Sequence, residues 1–181
     1  MVHMKTEGLD LYNHHHQRMQ TGDLVEFRGE SIVGGLIRWV TGKPVNHSAL
    51  VLRMPFEDCV ERRFIIEAVD SGLEFHLLSR VLEEYDGSAW WSPLKASAHQ
   101  RERIAAWAMV QLSENNGYDY DSLFRQAVAR VSLDGRRYFC SEFVHSALIS
   151  AEIIPPPVDQ KALRPGEFSQ LGVFENPVLV K

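Results

Sequence analysis

The sequence predicts one α+β domain, and three observations carry that reading. Short apolar runs rich in β-branched residues crowd the first half of the chain and have strand length. From Ser97 onward apolar residues recur at helical spacing instead. No repeat, low-complexity tract or linker separates the halves, so strands and helices belong to one packed unit. Its expected span is residues 21–181, after a polar, flexible lead-in over residues 1–20.

The strand set opens at Gly22-Asp23-Leu24-Val25-Glu26-Phe27, a short alternating run after a turn residue. A helix is expected over Ser31 to Thr41, where Ile32, Val33, Leu36, Ile37 and Val40 form one stripe. Ser31 suits its N-cap, and Gly42 with Pro44 ends it. His47 to Leu52 and Phe64 to Val69 read as two strands joined by a long hairpin loop around Pro55-Phe56-Glu57-Asp58. Two shorter strands are expected near Glu74–Leu78 and Ala89–Ser92. Ser97-Ala98-His99-Gln100 has capping-box form, and Ile104, Trp107, Ala108 and Leu112 continue that helix to Asn115-Asn116-Gly117. A second late helix covers Asp121 to Val131. A third follows Cys140, with Phe143, Val144, Ala147 and Leu148 as its apolar face and Ser141 and Glu142 in its first turn. The tail from Ile153 through Pro155-Pro156-Pro157 to Lys181 is loop-rich.

Composition narrows the function classes. The chain has 181 residues, 45% hydrophobic and 24% charged, with a net charge of -5, which argues against a non-specific nucleic-acid binder. Basic pairs such as Arg62-Arg63 read as solvated faces. Two cysteines, Cys59 and Cys140, make neither a disulfide framework nor a zinc spacing. His14-His15-His16 point in different directions on any regular element and do not converge on one ion. No apolar run reaches the ~20 residues needed to span a bilayer, and the N-terminus lacks a signal-peptide core. The expectation is a protein of the cytoplasm, or one delivered by a phage or a secretion machine.

The chemistry centres on Cys140, placed where strand or loop becomes helix. Free N–H groups and the dipole there favour the thiolate, the nucleophilic form. Such a nucleophile needs a base. His145 is five residues further along the same helix, about 140° away, and cannot meet the sulfur. His99 falls in the first turn of a helix; His76, within a short strand, stays open. His47 opens an apolar strand just after a turn, a common seat for an active-site base, although it reads equally as a histidine satisfied by a neighbouring carbonyl. Glu67 sets it apart. A carboxylate interrupting Phe64-Ile65-Ile66 and Ala68-Val69 needs a partner or an exposed face. In a hairpin, alternation puts Ile65, Glu67 and Val69 on one face with His47, Ala49 and Val51, so Glu67 can accept the ring N–H of His47. Cys59, beside Glu57, Asp58 and Glu61, is the duller thiol.

The order Gly22-Asp23-Leu24-Val25, His47-Ser48-Ala49-Leu50-Val51, Ile65-Ile66-Glu67-Ala68, Gly117-Tyr118-Asp119-Tyr120 and Phe139-Cys140-Ser141-Glu142-Phe143-Val144 resembles the circularly permuted NlpC/P60 proteins. These are papain-like cysteine peptidases and amidases in which the histidine strand precedes the cysteine helix. The YiiX/YaeF-type branch is the most similar, and Arg164-Pro165-Gly166-Glu167-Phe168 looks like its closing segment. The resemblance implies a papain-like antiparallel sheet or open barrel packed against helices. It carries the nucleophile onto Cys140, the base onto His47 and the orienting carboxylate onto Glu67. It implies a cysteine hydrolase that cleaves an amide, in a peptide or peptidoglycan-like substrate, through an acyl-thioester. Two alternatives stand beside it. One is a lipid-directed thiol acyltransferase or thioesterase, with Trp90-Trp91, Phe27 and the 32–40 helix lining an apolar groove. The other is a binding module without catalysis. No cofactor or metal is expected, since the chain carries no glycine-rich phosphate loop and no metal-ligand spacing.

Overall fold

The computed structural model describes residues 9–29, 45–55, 61–69, 72–114, 135–156, 163 and 165–181. The helices expected over 31–41 and 121–131, the loop carrying Cys59, and the Gly117–Tyr120 motif lie outside the described residues. Six strands build one antiparallel sheet in the order β4-β3-β2-β1-β5-β6. They are β1 (Leu24–Gly29), β2 (His47–Met54), β3 (Arg62–Val69), β4 (Gly72–Leu77), β5 (Gly87–Ser92) and β6 (Val178–Leu179). Among the described residues four helices pack against the sheet: α1 (Asp10–His15), α2 (Leu78–Glu84), α3 (Ala98–Glu114) and α4 (Gly135–Ser150). Among the described residues no helix is long and apolar enough to cross a membrane.

The central strands are covered on both faces, which is why β2 and β3 read as nearly continuous apolar runs. Leu24, Leu50, Leu52, Ile66 and Ala68 share one core with Ile104 and Ala108 of α3 and with Phe143, Val144, Ala147 and Leu148 of α4. Val25, Phe27, Ala49, Val51, Ile65, Ala89 and Trp91 share another with Tyr12, Met19, Leu78, Leu82 and Val180. The expected capping box is present at the start of α3. Ser97 Oγ accepts the Gln100 N–H at 3.2 Å, and Gln100 Oε1 accepts the Ser97 N–H at 3.0 Å. Before β1 the chain turns at Gly22 with φ +88°, and a Cβ there would stand 2.7 Å from Ile104 Cδ1.

Two regions differ from the sequence reading. Residues 9–20, expected as part of a flexible lead-in, form α1 and a 3-10 turn that Tyr12 and Met19 plug into the second core. Arg63, read as half of a solvated pair, is 2% exposed. Its Nε donates to Met19 O at 2.8 Å and its Nη2 to Gln17 O at 3.0 Å, clamping the segment to β3. The second difference is α2, a short helix between β4 and β5 whose Leu78 and Leu82 are buried. Two apolar residues one turn apart are too brief a stripe to stand out beside a strand.

Asp23, at the mouth of β1, is the hub that joins these parts. Its Oδ2 accepts from Gln20 N–H at 2.9 Å and Trp91 Nε1–H at 2.8 Å. Its Oδ1 accepts from Leu94 N–H at 3.1 Å and Arg101 Nη1 at 2.8 Å. All this lies on the far side of β2 from β3.

Candidate active site

The hairpin expected between β2 and β3 sets the first half of the site. Its register runs from Met54↔Arg62 to Leu50↔Ile66. Carried onward, it places Glu67 diagonally across from His47, within reach of long side chains on the same face. There Glu67 Oε2 is hydrogen-bonded to His47 Nε2. Glu67 is buried, so this partner is what keeps a carboxylate tolerable between Ile66 and Ala68. Phe27, directly opposite His47 on β1, backs the imidazole with ring centroids 5.8 Å apart.

The other half comes from α4. Cys140 is a buried thiol outside any disulfide, and it hydrogen-bonds the His47 ring. Nε2 is taken by Glu67, which leaves Nδ1 for the sulfur. Burial by itself lowers the His47 pKa. The charge and hydrogen bond of Cys140, then the hydrogen bond and charge of Glu67, outweigh it and raise the pKa from 6.5 to about 10. The ring is thus held as imidazolium through neutral pH, between two groups that gain from its charge. His47 alternates with Ala49 and Val51 on one face of β2, whereas α4 packs its apolar side on the other face.

The helix start differs from the sequence reading. α4 begins at Gly135, so Cys140 is its sixth residue and its N–H falls inside the helical ladder. The first-turn N–H groups and the dipole end lie more than a turn away. The charge opposite the sulfur comes instead from His47.

The remaining histidines stand apart. His145 is buried on α4, and desolvation lowers its pKa. His99 is exposed near the start of α3. His76, on edge strand β4, bonds Glu74 at 2.8 Å in an exposed pair, one strand beyond Glu67. Phe27 and Trp91, offered as the lining of an apolar groove, are core residues at 1% exposure each. Two features near the site had no clear sequence signal. Glu26 is buried on β1, and its Oε1 accepts the Gly166 N–H at 2.7 Å, tying the closing segment to the sheet. Ser48, next to His47, is buried with a hydroxyl that has no hydrogen-bond partner.

An antiparallel sheet packed on helices, consistent with a papain-like fold, together with a sulfur, an imidazole and a carboxyl group bonded in series, defines a class of protein rather than one protein. No family model and no curated protein matches the chain. Among solved structures it is similar to metalloprotein YiiX from Escherichia coli O157:H7, with a TM-score of 0.53 and 19% identity. The match covers 75% of this chain and 68% of that one. At that identity the likeness is one of fold.

Proposed function

We propose that this chain is a cysteine hydrolase of the YiiX type, with a circularly permuted NlpC/P60 architecture, and that it cleaves amide bonds in peptide or peptidoglycan-like substrates. The single observation that supports the reading most is the series Cys140–His47–Glu67, assembled from α4, β2 and β3. Cys140 is the nucleophile, His47 the acid and base, and Glu67 the group that fixes the ring.

The thiolate sulfur attacks the carbonyl carbon; an S–C bond forms and the π pair moves onto oxygen. Collapse expels the amine, whose nitrogen takes the proton from the His47 imidazolium. The neutral ring then removes a proton from water, which attacks the thioester and releases the acid and the Cys140 thiolate. Glu67 fixes the ring through its Oε2 against Nε2, which leaves Nδ1 for the sulfur.

YiiX, the solved neighbour, is named as a metalloprotein. The three site residues here do not suit a metal, because imidazole and carboxylate are bonded to one another and their lone pairs do not converge. Among the described residues no group of three His, Cys, Asp or Glu could hold a metal ion.

The test is turnover of a panel of muropeptides, peptide amides and acyl esters by wild type and Cys140→Ala, with mass spectrometry of the Cys140 peptide. An acyl adduct on Cys140, and loss of turnover in a folded Cys140→Ala, are expected. Full activity in that variant would sink the reading. An adduct from acyl esters alone would move the substrate class to lipids.

A further inference from the structure

A thiol that attacks a carbonyl must also stabilise the oxyanion that forms, and among the described residues the helix carrying the sulfur does not offer its first-turn N–H groups for this. The N–H groups at the start of α4 are more than a turn from Cys140, and the N–H of Cys140 lies within the helical ladder. A donor has to come from elsewhere.

Among the described residues, two buried side-chain polar atoms have no hydrogen-bond partner: His15 Nδ1 and Ser48 Oγ. His15 belongs to α1 and packs against Trp91, on the second-core side of the sheet. Ser48 is the neighbour of His47. Its position alternates with Leu50 and Leu52, which share a core with Phe143 and Val144 of α4. The hydroxyl is therefore on the face of β2 that α4 covers, one residue from the His47 that bonds Cys140. Ser48 is 0% exposed and Cys140 1%, so hydroxyl and sulfur are both held away from solvent. Glu26 faces Ser48 directly across the β1–β2 pair, yet its Oε1 takes the Gly166 N–H and the serine proton remains uncommitted.

Resting on the thiol-hydrolase reading, we infer that Ser48 is a further catalytic residue, its Oγ–H donating to the carbonyl oxygen as the Cys140–carbon bond forms. An unpartnered buried hydroxyl weakens the fold, and its use in the transition state accounts for its presence. The hydroxyl gives up no proton; it stays bonded to hydrogen while the oxygen carries the negative charge, and releases it when the carbonyl re-forms.

Two reactions of the same sulfur separate this role from a structural one. Acylation by p-nitrophenyl acetate passes through an oxyanion; alkylation by iodoacetamide does not. Both rates are read on the Cys140 peptide by mass spectrometry, in wild type and Ser48→Ala. The expected result is acylation slowed about 100-fold, alkylation unchanged, and a melting temperature equal to or above that of wild type. Equal acylation rates overturn the inference, as do equal losses in both reactions or a lowered melting temperature with normal acylation, which mark a hydroxyl satisfied within the fold. If Ser48→Ala fails to fold, Ser48→Cys keeps the shape with a much weaker donor and reads the same comparison; failure of both to fold also overturns it. A wild type whose Cys140 is alkylated but never acylated removes the hydrolase reading itself, a different outcome from an acylated wild type matched by its Ser48 variant.

Discussion

Asp23 and Glu67 are both buried acids of the same sheet, and they are held in opposite ways. Asp23 receives two backbone N–H groups, an indole N–H and a guanidinium, all fixed donors. Nothing in that set passes a proton onward. Glu67 is bonded to an imidazole whose remaining nitrogen faces a thiol. Burial and pairing are common to both; what separates Asp23 from the carboxylate of the proposed site is the second valence of its partner. A guanidinium closes the series, whereas an imidazole extends it.

The largest contrast should appear when each series loses its end. Cys140→Ala is expected to lower amide turnover by at least about 10⁴-fold, because nucleophile and base act as a unit. Its urea unfolding curve should stay close to that of wild type. Asp23→Ala should do the reverse. It takes the acceptor from Trp91 Nε1 and the opposite charge from Arg101, which keeps the Thr21 and Leu94 carbonyls, at about 3 kcal/mol of stability for a broken buried pair. Chemical denaturation checks that figure, and turnover per folded molecule should hold. An Asp23 variant that is stable but inactive would erase the distinction.

That contrast also marks what was legible in the sequence. Glu67 announced itself because a charge inside Phe64-Ile65-Ile66-Glu67-Ala68-Val69 violates the apolar run, and period-2 alternation then named its partner on the adjacent strand. Asp23 was visible only as a member of a motif, since its donors Trp91, Leu94 and Arg101 come from distant chain positions that no local pattern links. Arg63 was misread for a similar reason. A basic pair on a strand looks solvated until the backbone carbonyls of Gln17 and Met19 fold over it. The start of α4 was placed too late because the stripe from Phe143 to Leu148 fixes which face is buried but not how far the helix extends upstream. Ser48 gave no signal at all, because a serine in an apolar strand is conspicuous only once its lack of a partner is known.

Glu67→Gln sharpens the comparison at the next level. The amide fills the same space but carries no charge to favour the imidazolium, and its NH₂ competes with the ring N–H. Turnover should fall about 100-fold, with a smaller change in stability than Asp23→Ala because the carboxylate's partner is itself a neutralisable ring. Kinetics and urea unfolding on the same preparation give both numbers. Equal stability losses in the two variants would mean that Glu67 is a structural acid like Asp23.

The smallest effect is a slope. The pKa of His47 is raised from 6.5 to about 10 in the folded protein. The folded state therefore holds a proton that the unfolded chain has already lost. This stabilisation is fully present below 6.5 and disappears as pH rises through about 10. Stability measured by urea unfolding should decline across that interval. Removing the sulfur in Cys140→Ala should flatten the decline, because the thiol's charge leads the interactions that hold the proton on the ring. Glu67→Gln should flatten it as well, since the carboxylate also favours the charged ring. A carboxylate–guanidinium node such as the one around Asp23 offers no window of this kind. If the alkaline decline persists unchanged in Cys140→Ala, the imidazolium is not held by the sulfur, and the series from α4 to β3 is broken at its first link.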